Sequence, residues 1–572
     1  MDRNARAARQ DDACRGSGEE PNVTTPPLRA AAAAMLFGTA LLLAGCGGGG
    51  GGDGAAPPPP PSVPAPPSPD DPVRVSGLTP FTAGCNGAGI GGTLYSSAEV
   101  EPFVAVNPLD PANLVGVWQQ DRWSNGGSRG LLTGVSLDGG HTWSTVSAAF
   151  SRCTGGREDN GGDYERASDP WVTFAPDGTA YQIAIAFSGA NFAAGAVNAV
   201  LVSRSTDRGR SWSNPVTLIR DGSDFFNDKE AITADGTDAR YVYAVWDRIS
   251  PSAGGPTWFS RTTDGGSTWE AARVIHDPGP GNQTINNQIV VLPDGTLVNF
   301  FTRINATAAG NDGTSLAVMR SQDKGVTWSA PVVIAAALAL GTRDPEAGTL
   351  IRDGANLGSI AAGRDGTLAA VWQDSRFSGG AHDGIAFSRS TDGGMTWSPP
   401  VRVNSVAAVQ AFVPAVHVRN DGRVGVTYYD LRNNTDDPAT LPTDYWLTSS
   451  ADGVTWQETH VSGPFDLAIA PNARGLFVGD YQALTSIGNV FVPFFAQTNT
   501  GNSSNRTDVF VARVSGATTV TAQSAASSPL RGSRTAEATL RAETASPFAF
   551  TPDLSQRLDE SALRTIERRM RR

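Results

Sequence analysis

Across residues 71–514, apolar side chains fall in short alternating runs, and each run is cut by a turn rich in Gly and Asp. Alternation with period two is the mark of a strand that buries one face. Two kinds of turn recur. The first is an Asp-Gly turn, as in Pro176-Asp-Gly178, Pro293-Asp-Gly295, Arg364-Asp-Gly366 and Asn420-Asp-Gly422. Gly supplies the positive φ such a turn needs, and Asp bonds back to the backbone. One unit therefore reads strand, Asp-Gly turn, strand, variable loop, strand, second turn, strand.

The second turn is the more regular of the two. It occurs around Asp138 and Trp143, Asp207 and Trp212, Asp264 and Trp269, Asp323 and Trp328, Asp392 and Trp397, and, one residue shorter, Asp452 and Trp456. Its pattern is S-x-D-x-G-x-T-W. The Asp is expected to accept backbone N–H bonds of its own turn, and the Trp to bury a large ring while its N–H finds a partner. The tryptophans are spaced 69, 57, 59, 69 and 59 residues apart. A period near 60 built of four short strands predicts an all-β chain, a β-propeller of four-stranded blades. After the sixth turn comes a unit without one, from Asp480 to Val514. It offers three strands, and Pro72 to Ser76 echoes the missing fourth, since a ring has to cover its sheet edges. Seven blades are therefore expected. The alternative is six, with the last unit packed outside the ring.

Composition narrows the class. The chain has 65 Gly, 38 Pro and 13 Trp, and only 17% charged residues, as many short strands and tight turns require. A net charge of −12 argues against a nucleic-acid surface, which needs a basic stripe. His141, His276, His382, His417 and His460 are scattered without ligand spacing, so neither a metal nor another cofactor is expected. The apolar run at residues 30–45 is too short to span a bilayer and reads as a signal peptide, residues 1–45. It ends Leu43-Ala44-Gly45-Cys46, similar to a bacterial lipobox with Cys46 as the lipidated residue. An ordinary signal peptide is the alternative. A Gly- and Pro-rich tether at 46–70 follows, then the propeller at 71–514 and a low-complexity tail at 515–572 with a short terminal helix. This organisation predicts an exported monomer that meets the membrane only through its lipid. In that compartment Cys85 and Cys153 are expected to form a disulfide, the alternative being two buried thiols.

The repeated turn is the Asp-box, and on its six copies the chain resembles the sialidase (BNR-repeat) superfamily. The resemblance implies a glycoside hydrolase acting on glycans, in which arginines hold a sugar carboxylate and a tyrosine serves as nucleophile. The boxes lie on one face of such a propeller, so the site belongs to the other. Arg122, Arg248, Arg303, Arg376 and Arg432 are candidate carboxylate-binding residues there. Because Asp–Arg recurs with the units, each is more economically read as a structural pair. Tyr481 as nucleophile, Glu230 as its base and Asp169 as acid/base complete the implied set. The Phe/Tyr-Arg-Ile-Pro motif of sialidases is absent, and the corresponding strand reads Glu101-Pro-Phe103-Val-Ala-Val106. Three classes remain open: a sialidase-like hydrolase, a non-catalytic propeller that binds glycan or protein, and a cell-envelope assembly factor.

Overall fold

The computed structural model describes residues 71–86, 91–251, 254–305 and 313–515. The signal segment, Cys46, the tether and the expected terminal helix lie outside the described residues. Strands Leu94–Val106, Leu114–Trp123, Ser128–Ser136 and Ser144–Val146 pair antiparallel in chain order. The same up-and-down order repeats in sets that begin with the inner strands Arg166–Phe174, Phe226–Ala234, Gln283–Val291, Ser359–Ala362 and Ala411–Val418. A further set begins with Ala483–Ile487 and continues through Val490–Thr498 and Thr507–Val511. Its outermost strand is Val73–Arg74, from the opposite end of the propeller sequence, with Val73 across from Val511. The inner strands touch one another in a closed cycle, from Leu94–Val106 round to Ala483–Ile487 and back. The sets thus radiate from one axis, and the fold is an all-β propeller.

Packing between sets follows from the sequence of the second strands. Trp118, Trp246, Trp372 and Tyr428 occupy matching places there and are fully buried. Each indole finds an acceptor close by: Trp118 on Gln120, Trp246 on Asn227 and Trp372 on Asp374. The recurring second-strand Trp is therefore a satisfied core element.

The Asp-boxes form as their residue types dictate. In the fifth box the Thr396 hydroxyl (2.6 Å) and the Thr396 and Met395 N–H groups donate to Asp392, holding its carboxyl down at about 2. The indoles differ from expectation. Trp143 donates to Gly140 at 3.1 Å, whereas Trp212, Trp328, Trp397 and Trp456 find no acceptor among the described residues. Their rings wedge against apolar neighbours, Trp456 on Phe387 and Trp328 on Phe259, which places area burial ahead of hydrogen bonding. The boxes also bolt the ring. Arg204 donates to the backbone of Gly265 in the next set, Arg261 to Lys324 and Arg389 to Asp452, at 2.9, 2.5 and 2.7 Å. Arg513 donates to Gly139 at 2.9 Å and closes the circle from the last set to the first.

A disulfide joins Cys85 to Cys153 and ties the segment before the first inner strand to the loop after the first set. Because Val73 lies beside the end of a third strand, the chain enters the propeller on the Asp-box face.

Candidate functional site

The inner strands carry the site through a shared irregularity. The register slips between Val100 and Phe103, Ser168 and Trp171, Asp228 and Ala231, Ile285 and Gln288, and Phe412 and Ala415. At each slip one residue other than Gly adopts a left-handed backbone: Glu101 (φ 53°), Asp169 (53°), Lys229 (50°), Asn286 (62°) and Val413 (50°). A bulge re-aims a side chain, and a left-handed conformation at such residues costs about 1–3 kcal/mol, held only where the surroundings over-determine it.

Three of these residues meet. The Lys229 ammonium donates to Asp169 at 2.6 Å, to Asp480 at 2.8 Å and to Glu101 at 3.2 Å, which spends its three N–H groups on carboxylates from three other inner segments. Arg352 grips Asp480 from the other side with two bonds, at 3.0 and 2.7 Å. Burial disfavours every charge here, yet the three carboxylates hold Lys229 well above its ordinary value. Against the same burial, Arg352 and Lys229 hold Asp480 well below its own. Burial and then Asp169 push Glu101 up to about 8. Below this hub is an aromatic floor, with Phe103 stacked on Trp171 at 3.6 Å and Trp171 tilted against Tyr481 at 5.4 Å.

The hub opens into a cavity of about 400 Å³. Its wall takes Glu101, Arg122, Arg166, Asp169, Lys229, Arg352 and Asp480, together with Asp228, Asp353, Arg474 and an apolar group described below. Arg122 ends a second strand and Arg166 begins an inner one, so the cavity lies on the face opposite the boxes. Both are buried, at 2% and 1% exposure. Arg122 donates to Gln119, and Arg166 to Asn125 and to the backbone of Gly126 and Gly91. The Nε groups of both find no acceptor among the described residues. Burial, then the nearby Arg352, lowers the affinity of Arg122 for its proton, and burial, then Arg122, lowers Arg166 to about 10.

The residues expected from sequence fall in several places. Of the five rim arginines only Arg122 lines the cavity. Arg376 folds back on Asp374 and Arg432 on Asp430, each two residues away on its own strand end. Arg248 takes Asp221 instead, and its guanidinium lies 3.5 Å over Phe225. Arg303 sits at its strand end beside His276. Asp169 lines the cavity at the hub. Tyr481 belongs to the floor, where its hydroxyl donates to the Pro170 carbonyl at 3.1 Å. Burial, then Glu101, Asp169, Glu230 and Asp480, push that phenol well above its ordinary value. Glu230 is fully buried one residue past the hub lysine, and neither carboxyl oxygen has a partner among the described residues. Burial and Asp169 push it up strongly.

Sequence reasoning gave no role to Arg166 and Arg352, nor to the hub residues Glu101, Lys229 and Asp480. A signal for Lys229 exists in Glu101-Pro-Phe-Val, Asp169-Pro-Trp-Val and Val413-Pro-Ala-Val, which mark equivalent bulges, with Lys229-Glu-Ala-Ile in the same register. Arg352 has no such signal, because it lies in an insertion between two sets, on the short strand Ile351–Arg352 that pairs in parallel with Leu476–Phe477.

No family model matches the chain, and no curated protein matches it. Among solved structures, it is similar to a Hadza microbial sialidase at 16% identity, over 71% of this chain and 75% of that one, with a TM-score of 0.40. A protein of unknown function from Dyadobacter fermentans is also 16% identical, over 74% and 96%, TM-score 0.41. An α-L-arabinanase from Penicillium chrysogenum, solved with arabinobiose, is 15% identical over 61% and 95%, TM-score 0.38.

Proposed function

We propose that the protein is an exported seven-bladed propeller that takes an acidic sugar of a glycan into its axial cavity. The observation that carries this reading is the meeting of Arg122, Arg166 and Arg352 in the cavity wall, with Arg122 and Arg166 both buried. A guanidinium presents a planar fork of N–H donors that matches a carboxylate and keeps its charge, and its bonds strengthen where water is excluded. A sugar carboxylate meets that demand, and the remaining carboxylates suit sugar hydroxyls.

Hydrolysis is the first form of this activity. In that form Tyr481, released from the Pro170 carbonyl, gives its proton to Glu230 once that carboxyl is ionised and bonds to the anomeric carbon, while Asp169 protonates the departing glycosidic oxygen; water, deprotonated by Asp169, then displaces the tyrosine and frees the sugar. A second form, binding without turnover, is favoured by one observation: the Tyr481 hydroxyl is engaged with Pro170 below the hub. The lipid on Cys46 anchors the protein.

The test takes the mature chain through fluorogenic sialosides, uronides and arabinosides for turnover, and through a glycan array for binding. Turnover that is lost in Tyr481→Phe supports the hydrolase. Binding of acidic glycans that survives Tyr481→Phe and fails in Arg122→Ala supports the binder. If carboxylate-bearing sugars are neither cleaved nor bound, the acidic-sugar reading is wrong.

A further inference from the structure

The cavity has two unlike halves. Charged groups occupy one arc, from Arg352 and Asp480 through Glu101 and Arg122 to Arg166. Beside them the wall is apolar: Phe187, the cross-strand partner of Arg166, with Phe192 and Phe226 from the second and third sets, then Ile285, Ile304 and Leu357. Phe187 and Phe192 each meet Phe226 edge-on at 6.3 Å, so the three rings form one wall rather than isolated contacts. Phe192 is only half-buried and stands at the tip of a loop between Gly189 and Gly195, in a left-handed backbone at φ 62°. A bulky residue seldom adopts that conformation, and here it turns an aromatic ring onto the cavity.

We propose that the ligand is an acidic glycoside carrying an apolar aglycone, and that Phe192 sets the preference for it. The proposal rests on the acidic-sugar reading above and goes further by naming the second half of the ligand. The sugar carboxylate engages the arginines, and because Phe187 pairs with Arg166 across neighbouring strands, the rest of the glycoside lies beside the phenylalanines. The three rings come from two sets and offer more surface than a methyl group covers. Apolar surface removed from water there adds affinity without any new polar contact.

The experiment measures binding of hydrolysis-resistant methyl and phenyl thioglycosides of N-acetylneuraminic and glucuronic acids to the mature chain by calorimetry. The phenyl compound of the preferred sugar is expected to bind about tenfold tighter or more than its methyl counterpart, the gain from burying one ring. Phe192→Ala abolishes most of that ratio while the methyl compound binds as before, and Phe192→Leu keeps part of it. Equal affinity for both compounds, or equal weakening of both by Phe192→Ala, overturns the proposal and leaves the acidic-sugar reading standing. No binding of any of the four overturns the acidic-sugar reading, and the proposal falls with it.

Discussion

Replacing Lys229 with Met removes the ammonium that Glu101, Asp169 and Asp480 share, while keeping a side chain of similar reach. The three ion pairs are almost fully buried, so water does not take the place of the lost cation. Asp480 retains Arg352 and Asp169 retains the Ser168 hydroxyl at 2.6 Å, but Glu101 and Asp169 lose their cation. Breaking a buried pair from one side costs about 3–5 kcal/mol, a large part of the roughly 5–15 kcal/mol that holds a native protein together. Equilibrium denaturation of the mature chain at pH 7 is expected to show a loss of that order. The pH dependence gives a second, sharper readout. Lys229 is one of the two cations that hold Asp480 low, so without it the folded-state affinity of Asp480 for protons rises, and the deficit is full where Asp480 is ionised and shrinks as it protonates. The gap between wild type and variant therefore narrows from pH 7 to pH 4.5. A loss under about 1 kcal/mol at pH 7, or a gap that does not change with pH, would refute the hub as an electrostatic unit.

Three further outcomes follow from the geometry. Arg513→Ala removes the bolt from the last set to Gly139 of the first, and denaturation should register a loss of about 1–3 kcal/mol with easier proteolysis near Val73. Gly325 has φ 86°, and a Cβ there would lie 2.6 Å from the Phe259 ring, so Gly325→Ala should lower the thermal midpoint more than an exposed Gly→Ala elsewhere. Burial pushes Glu101 up to about 8 and Asp383 up to about 7. For carboxyls raised in the folded state, the stabilisation is present below their unfolded values and is lost as pH rises through the folded ones. The thermal midpoint should accordingly fall between pH 5 and pH 8.5; a rise across that window would show that other groups dominate.

The architecture was legible in the sequence because it depends on local rules. An Asp-box holds its shape through bonds among its own few residues, so Asp392 and Thr396 announce their turn without help from the rest of the chain. The closing strand was readable as well, since Pro72 to Ser76 repeats the pattern of other outer strands, and an uncovered edge calls for one. The rim arginines were less legible. Arg248 and Arg122 each directly follow an Asp, yet one turns to Asp221 and the other is buried against the cavity. The spacing is the same, and only the neighbours differ.

By itself, then, the sequence determined the strands, the turns and the repeat that arranges them about an axis, because each depends on φ preferences, alternation and hydrogen bonds within a few residues. The tertiary structure alone decided the site. Glu101, Asp169, Lys229 and Asp480 stand up to 379 positions apart and become neighbours only when the ring closes. Arg352 reaches Asp480 across an insertion that no periodicity foretells. Charge pairing acts through space rather than along the chain, so the partners of a buried lysine are fixed only once the backbone has brought them within 3 Å or so.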